Sequence, residues 1–255
     1  MRTLPSEQEP LISRRSLGWL VHAFTASGAC IGVLCLLAIY EGHLVVALWL
    51  MAAAIFIDSV DGMFARLIRV KEVVPEIDGA LLDNIVDFVN YTIVPCFFLL
   101  VTNTIPSIWR IACVIVIIFA STYQFTQCDA KTSDHFFKGF PSYWNIVVLY
   151  LFFWRLPPIL NLVILSLLTI LSFVPIKYVY PSRLDHLTHN RYMRYAMLLL
   201  TIIWGAATVG LLWLYPRTSP VLVSISLGYV LVYLAISLYR TLVPLHLPLL
   251  ALGNK

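Results

Sequence analysis

Asp58-Ser59-Val60-Asp61-Gly62-Met63-Phe64-Ala65-Arg66, then twelve residues, then Gly79-Ala80-Leu81-Leu82-Asp83-Asn84-Ile85-Val86-Asp87: this stretch decides how the chain is read. It sets four carboxylates, two glycines and an arginine within strongly apolar sequence. An ionised carboxylate at membrane depth is costly unless it is paired or binds metal, so such residues mark function by default. The i, i+3 and i, i+4 spacings put Asp58 with Asp61, and Asp83 with Asp87, on one face of their helices.

Composition agrees with a membrane setting. Of 255 residues, 60% are apolar and 12% charged, with a mean hydropathy of +0.88. A soluble domain is nearer one quarter charged. The expected fold is all-α: a polytopic membrane helical bundle forming a single domain over 17–255, preceded by a cytoplasmic N-terminal arm over 1–16. Apolar runs at about 17–40, 44–66, 80–102, 107–126, 142–155, 157–178, 194–215 and 219–240 predict about eight transmembrane helices. The fifth is short, and only Arg155-Leu156-Pro157-Pro158 parts it from the sixth. Seven spans with one re-entrant piece is the alternative.

With the N- and C-termini both cytoplasmic, fourteen of the 17 lysines and arginines fall on the inner side. Only Arg110, Arg155 and Arg217 lie outside. This is the bias that orients membrane helices, and it accounts for the net charge of +4 without nucleic acid. Gly28-x-x-x-Gly32 reads as a helix-packing face. The five cysteines contain no C-x-x-C pair and read as small hydrophobes, not as disulfides or zinc ligands. Asp185-His186-Leu187-Thr188-His189 reads as a solvated interfacial loop.

Topology sharpens the opening stretch. The second span runs inward and ends near Arg66, and the third starts near Gly79 and runs outward. Asp58 and Asp87 each lie roughly 12 Å along their helices from those markers. All four carboxylates then share one depth near the cytoplasmic face, and they converge if the helices are neighbours. Converging carboxylates call for hard cations, and oxygen-only ligands favour Mg²⁺, Mn²⁺ or Ca²⁺. Two such ions would neutralise four aspartates. Gly62, Ala65 and Gly79 leave room for a flat group such as a nucleobase, and Arg66 suits a phosphate. A reading from another class makes the aspartates the pathway of an ion-coupled transporter. The second half, however, holds no inverted repeat of the D-x-x-D string, as such a transporter can show.

These residues resemble the signature of the CDP-alcohol phosphatidyltransferase family, D-x-x-D-G-x-x-A-R followed by G-x-x-x-D-x-x-x-D, with every fixed position present. The spacer is longer than in most of the family. That length, together with segments 77–87, 136–145 and 22–28, is similar to the family's bacterial phosphatidylcholine synthase branch. The resemblance implies transfer of a phosphatidyl group from CDP-diacylglycerol to choline with release of CMP, using Mn²⁺ or Mg²⁺ and two ions. It implies a multi-pass protein of the bacterial inner membrane, its site on the cytoplasmic side. Membrane lipid is then a partner and nucleic acid is not, and a homodimer is the common assembly.

Carried over by position, Asp58, Asp61, Asp83 and Asp87 match the metal site, and Asp87 also matches the general base. Thr25, Gly62, Ala65, Arg66 and Gly79 match the CDP-diacylglycerol site. Serine, inositol or glycerol phosphate as acceptor is the alternative within the family. No dense arginine cluster lies at span depth, which favours an unphosphorylated alcohol. A quaternary ammonium is held by aromatic faces. Tyr91, Tyr123, Tyr143 and Trp144 are the cage candidates, against a competing role as interfacial aromatics.

Overall fold

Every expected apolar run forms a helix in the computed structural model, which describes residues 11–130, 132, 136–180, 191–217 and 219–243. The elements in order are α1 (Leu11–Tyr40), α2 (Leu44–Ile68), α3 (Val70–Val73), α4 (Gly79–Asp87), a π-helical segment (Phe88–Ile93), α5 (Val94–Val101), α6 (Ser107–Thr126), β1 (Phe137–Lys138), α7 (Trp144–Trp154), α8 (Pro158–Leu171), β2 (Lys177–Tyr178), α9 (Arg191–Leu214) and α10 (Pro220–Leu242). Helix α4, the π segment and α5 run on as one span, Gly79–Val101.

Among the described residues, six helices are long and apolar enough to cross a membrane. The chain is thus an all-α multi-pass membrane protein. The fifth and sixth runs are apolar but shorter helices, Trp144–Trp154 and Pro158–Leu171. At 1.5 Å per residue they reach roughly 16 and 21 Å, short of a core of about 30 Å. Helix α8 stops at Leu171, well before the expected 178, because Pro175 lacks an N–H and disfavours helical geometry just before it. The Asp185–His189 loop lies outside the described residues, as do the first ten residues of the arm.

The chain divides into two compact units, 1–101 and 102–255. In the first, α1 packs along α2 and along the Gly79–Val101 span. The expected small-residue face is the seam. A Cβ on Gly28 would stand 2.7 Å from Val86 Cγ1, and one on Gly32 would stand 2.9 Å from Asn90 Oδ1. Asn90 fills the groove so formed, and its Nδ2 donates to the carbonyls of Gly28 at 3.0 Å and Val86 at 3.1 Å. A buried amide at membrane depth is thereby satisfied across helices. The long spacer folds too: Val70 of α3 and Val74 just after it are buried against Val21 of α1, with Ala65 and Ile68 packed alongside.

In the second unit, non-helical backbone is satisfied by protein groups. Strands β1 and β2 pair antiparallel. The Lys177 and Val179 amides donate to the hydroxyls of Thr241 and Ser237 on α10. Gln124 of α6 donates to the Lys138 carbonyl. Gly139 takes a positive φ of 78° where the chain crosses close to the Ser172 carbonyl, an approach that no larger residue could make.

Candidate active site

Two local devices fix the register of the motif. Asp78 caps α4, its carboxylate accepting from the amides of Ala80 at 3.0 Å and Leu81 at 3.1 Å. The helix therefore begins at Gly79, and Asp83 and Asp87 follow one and two turns later. Helix α2 ends where Arg69 turns left-handed at φ 56°, its amide returning to the carbonyls of Ala65 and Arg66. Arg66 sits in that last turn, where the helix dipole favours a cation.

The structure brings Asp58, Asp83 and Asp87 together. One carboxylate oxygen from each lies within 4.8 Å of the others, and all three residues are half-buried. Charges at that separation repel by about 3.5 kcal/mol per pair at an effective dielectric of about 20. A cation relieves that repulsion. Opposed oxygens on one ion stand about 4.2 Å apart for Mg²⁺ and about 5 Å for Ca²⁺, from the usual bond lengths. The group fits a hard divalent cation in spacing and in donor type.

Tyr91 belongs to the same group. Its hydroxyl donates to Asp58 Oδ2 at 2.7 Å, so it orients a carboxylate of the cation site. Tyr91 lies in the π-helical segment that follows Asp87 directly. Such wide turns occur often at functional sites, because they rotate side chains out of regular register.

Asp61 stands apart from that trio. It is buried, at 5% exposure, and is tied to the Thr25 hydroxyl of α1, to the Gly62 amide and, electrostatically, to Arg66. The small residues expected to leave room for a flat group have neighbours from the protein itself. Arg66 Nη1 lies 3.3 Å from where a Cβ on Gly62 would be, so the guanidinium covers that glycine. Ala65 packs on the Val21–Val70–Val74 cluster. The His22 ring lies against Gly79, where its Cε1 would meet a Cβ at 3.1 Å.

A family model for CDP-alcohol phosphatidyltransferase matches residues 20–176, more than half of the chain and the whole of this site. The chain belongs to the CDP-alcohol phosphatidyltransferase family. It is 52% identical over 238 residues to a phosphatidylcholine synthase of Legionella pneumophila, covering 93% of each chain. It is 50% identical over 217 residues to one of Legionella bozemanae, covering 85% of this chain and 100% of that one. A third, of Borreliella burgdorferi, is 44% identical over 171 residues, 67% of this chain and 73% of that one. Family members generally use divalent metals, which suits the aspartate trio.

The other aromatic candidates lie in the second unit. Trp144 is fully buried, with Nε1 donating to Ser121 Oγ at 2.8 Å and Phe140 set edge-on 4.9 Å away. Tyr123 is exposed and packs on Phe173. Tyr143 lines a cavity of about 260 Å³ shared with Tyr150, Trp154, Trp204 and Tyr229. The Tyr150 hydroxyl bonds Ser226 and accepts from Trp204, and the Tyr229 hydroxyl bonds Thr201, so both hydroxyls are engaged within the protein. Sequence reasoning missed this cavity, because its rings come from three separate helices, α7, α9 and α10, and the turn before α7, with no shared spacing. It also missed Asn90 and the π turn. Asn90 was a detectable signal, an amide inside an apolar span seven residues after Asp83.

Proposed function

We propose that this chain joins choline to the phosphatidyl group of CDP-diacylglycerol, giving phosphatidylcholine and CMP. The observation that carries the chemistry is the Asp58–Asp83–Asp87 group, three carboxylate oxygens within 4.8 Å on a family motif. Choline as acceptor is supported by relatives at 50–52% identity that bear the name phosphatidylcholine synthase.

The choline hydroxyl attacks the β-phosphorus of CDP-diacylglycerol. A new P–O bond forms, the diphosphate bridge breaks, and CMP leaves with the bonding pair. Asp87 takes the hydroxyl proton. Asp58, Asp83 and Asp87 would hold the divalent cation, Mn²⁺ or Mg²⁺, and Asp61 would serve a second ion. Bound there, the metal supplies charge neutralisation for the diphosphate. Tyr91 holds Asp58 in place, and Arg66 offers its guanidinium to a phosphate oxygen. Tyr91, Tyr123, Tyr143 and Trp144 remain the candidates for the trimethylammonium. We place the protein in a bacterial inner membrane, with the site on the cytoplasmic side and a homodimer as the assembly.

The test is CMP release from CDP-diacylglycerol by the purified protein in detergent, with choline, serine, inositol and glycerol phosphate compared. Release with choline and not with the others supports the reading. Release with serine alone overturns it.

A further inference from the structure

His22 is buried, at 8% exposure, and its Nε2 has no hydrogen-bond partner among the described residues. A buried polar nitrogen left unmatched is destabilising, and in a native structure it asks for an explanation. The position of His22 suggests one. It lies one turn before Thr25 on the same face of α1, and Thr25 bonds Asp61. Its ring lies against Gly79, with Cε1 and Nδ1 the atoms closest to the place a Cβ would take, at 3.1 and 3.7 Å. Trp19 meets the ring edge-on at 6.5 Å. One imidazole therefore joins both halves of the motif while its Nε2 stays unengaged.

Which part of a nucleotide would meet it follows from the helix. Asp83 and Asp87 mark where the diphosphate must lie. Gly79 is one turn earlier, about 6 Å along the axis, which is the direction and scale of a nucleoside extending from its phosphates. A neutral imidazole can donate or accept through Nε2. The cytosine edge carries both an amino donor and ring acceptors, so either tautomer finds a partner. We propose that His22 is a binding residue for the nucleoside of the CDP-lipid substrate, engaging the cytosine edge through Nε2. Gly79 is then glycine because the imidazole needs its place. The inference rests on the function proposed above and adds a residue outside the aspartate motif.

The test compares His22→Ala, His22→Gln and His22→Asn. Glutamine sets an amide nitrogen near the position of Nε2, whereas asparagine mimics Nδ1. For the alanine and asparagine variants, the CDP-diacylglycerol KM and the inhibition constant of CMP should rise together by about tenfold, the size of one lost hydrogen bond. The choline KM should hold, and glutamine should recover most of the loss. If glutamine is as poor as alanine, or the choline KM moves with the nucleotide constants, the residue only fills space and the proposal falls. Unchanged nucleotide constants in all three overturn it too. CMP binding to the wild type and variants, followed by thermal shift, reads the same site without an acceptor. If serine proves to be the acceptor, the proposed function fails while the His22 result stands by itself.

Discussion

Replacing Tyr91 by phenylalanine removes one oxygen and keeps the ring. That oxygen donates to Asp58 Oδ2 at 2.7 Å, and Asp58 is one of the three carboxylates drawn within 4.8 Å. A hydrogen bond to a charged group contributes about 1.5–3 kcal/mol. At about 1.4 kcal/mol per decade this corresponds to roughly 12- to 150-fold in an equilibrium constant. Partners that orient metal ligands typically cost about 10–100-fold in metal affinity or activity when removed, so the two estimates agree. The assay is a Mn²⁺ titration of choline-dependent CMP release. The metal concentration for half-maximal rate should rise by about one to two decades in Tyr91→Phe. The choline KM should stay put, since the ring face is retained. An unchanged metal requirement would refute the reasoning, because Asp58 would then need no orienting hydroxyl. Comparison with Tyr91→Ala separates the roles: a further rise in choline KM there, and not in the phenylalanine variant, marks the ring as a cage wall.

Asp87→Asn should lose turnover while still binding CMP, and a variant that turns over normally would remove Asp87 as the base. Thr25→Val is nearly isosteric and leaves buried Asp61 one donor short; activity should fall about tenfold, the loss of one hydrogen bond, and the melting temperature should fall by about 2–4 °C for each kcal/mol lost. Gly28→Ala drives a methyl to 2.7 Å from Val86 Cγ1. That overpacking costs about 1–3 kcal/mol and should lower the melting temperature in detergent by about 2–4 °C for each kcal/mol.

The convergence of Asp58 with Asp83 and Asp87 was legible because matched distances from Arg66 and Gly79 set matched depths. The different place of Asp61 was not. Residues three apart on a helix differ by about 60° in direction, enough for Asp58 to meet Asp83 and Asp87 while Asp61 turns to Thr25 on α1. Spacing alone says "same face" for both. The Gly28–Gly32 seam was legible as small residues, but not its filling by Asn90, which depends on how α1 and the third span pack. The link from Tyr91 to Asp58 depends on a π turn that the residues Phe88–Ile93 do not announce. The end of α8 was misjudged because hydropathy continues past Pro175 although the helix cannot. His22 was visible as part of a segment, yet its significance comes from Gly79, at the start of α4.

The measurement closest to the core of this account is anomalous scattering from Mn²⁺ in crystals grown with CDP-diacylglycerol. A peak within about 2.2 Å of carboxylate oxygens of Asp58, Asp83 and Asp87 is the predicted result, at ordinary metal–oxygen distances. No peak at that trio, or a peak held by other residues, would contradict the account.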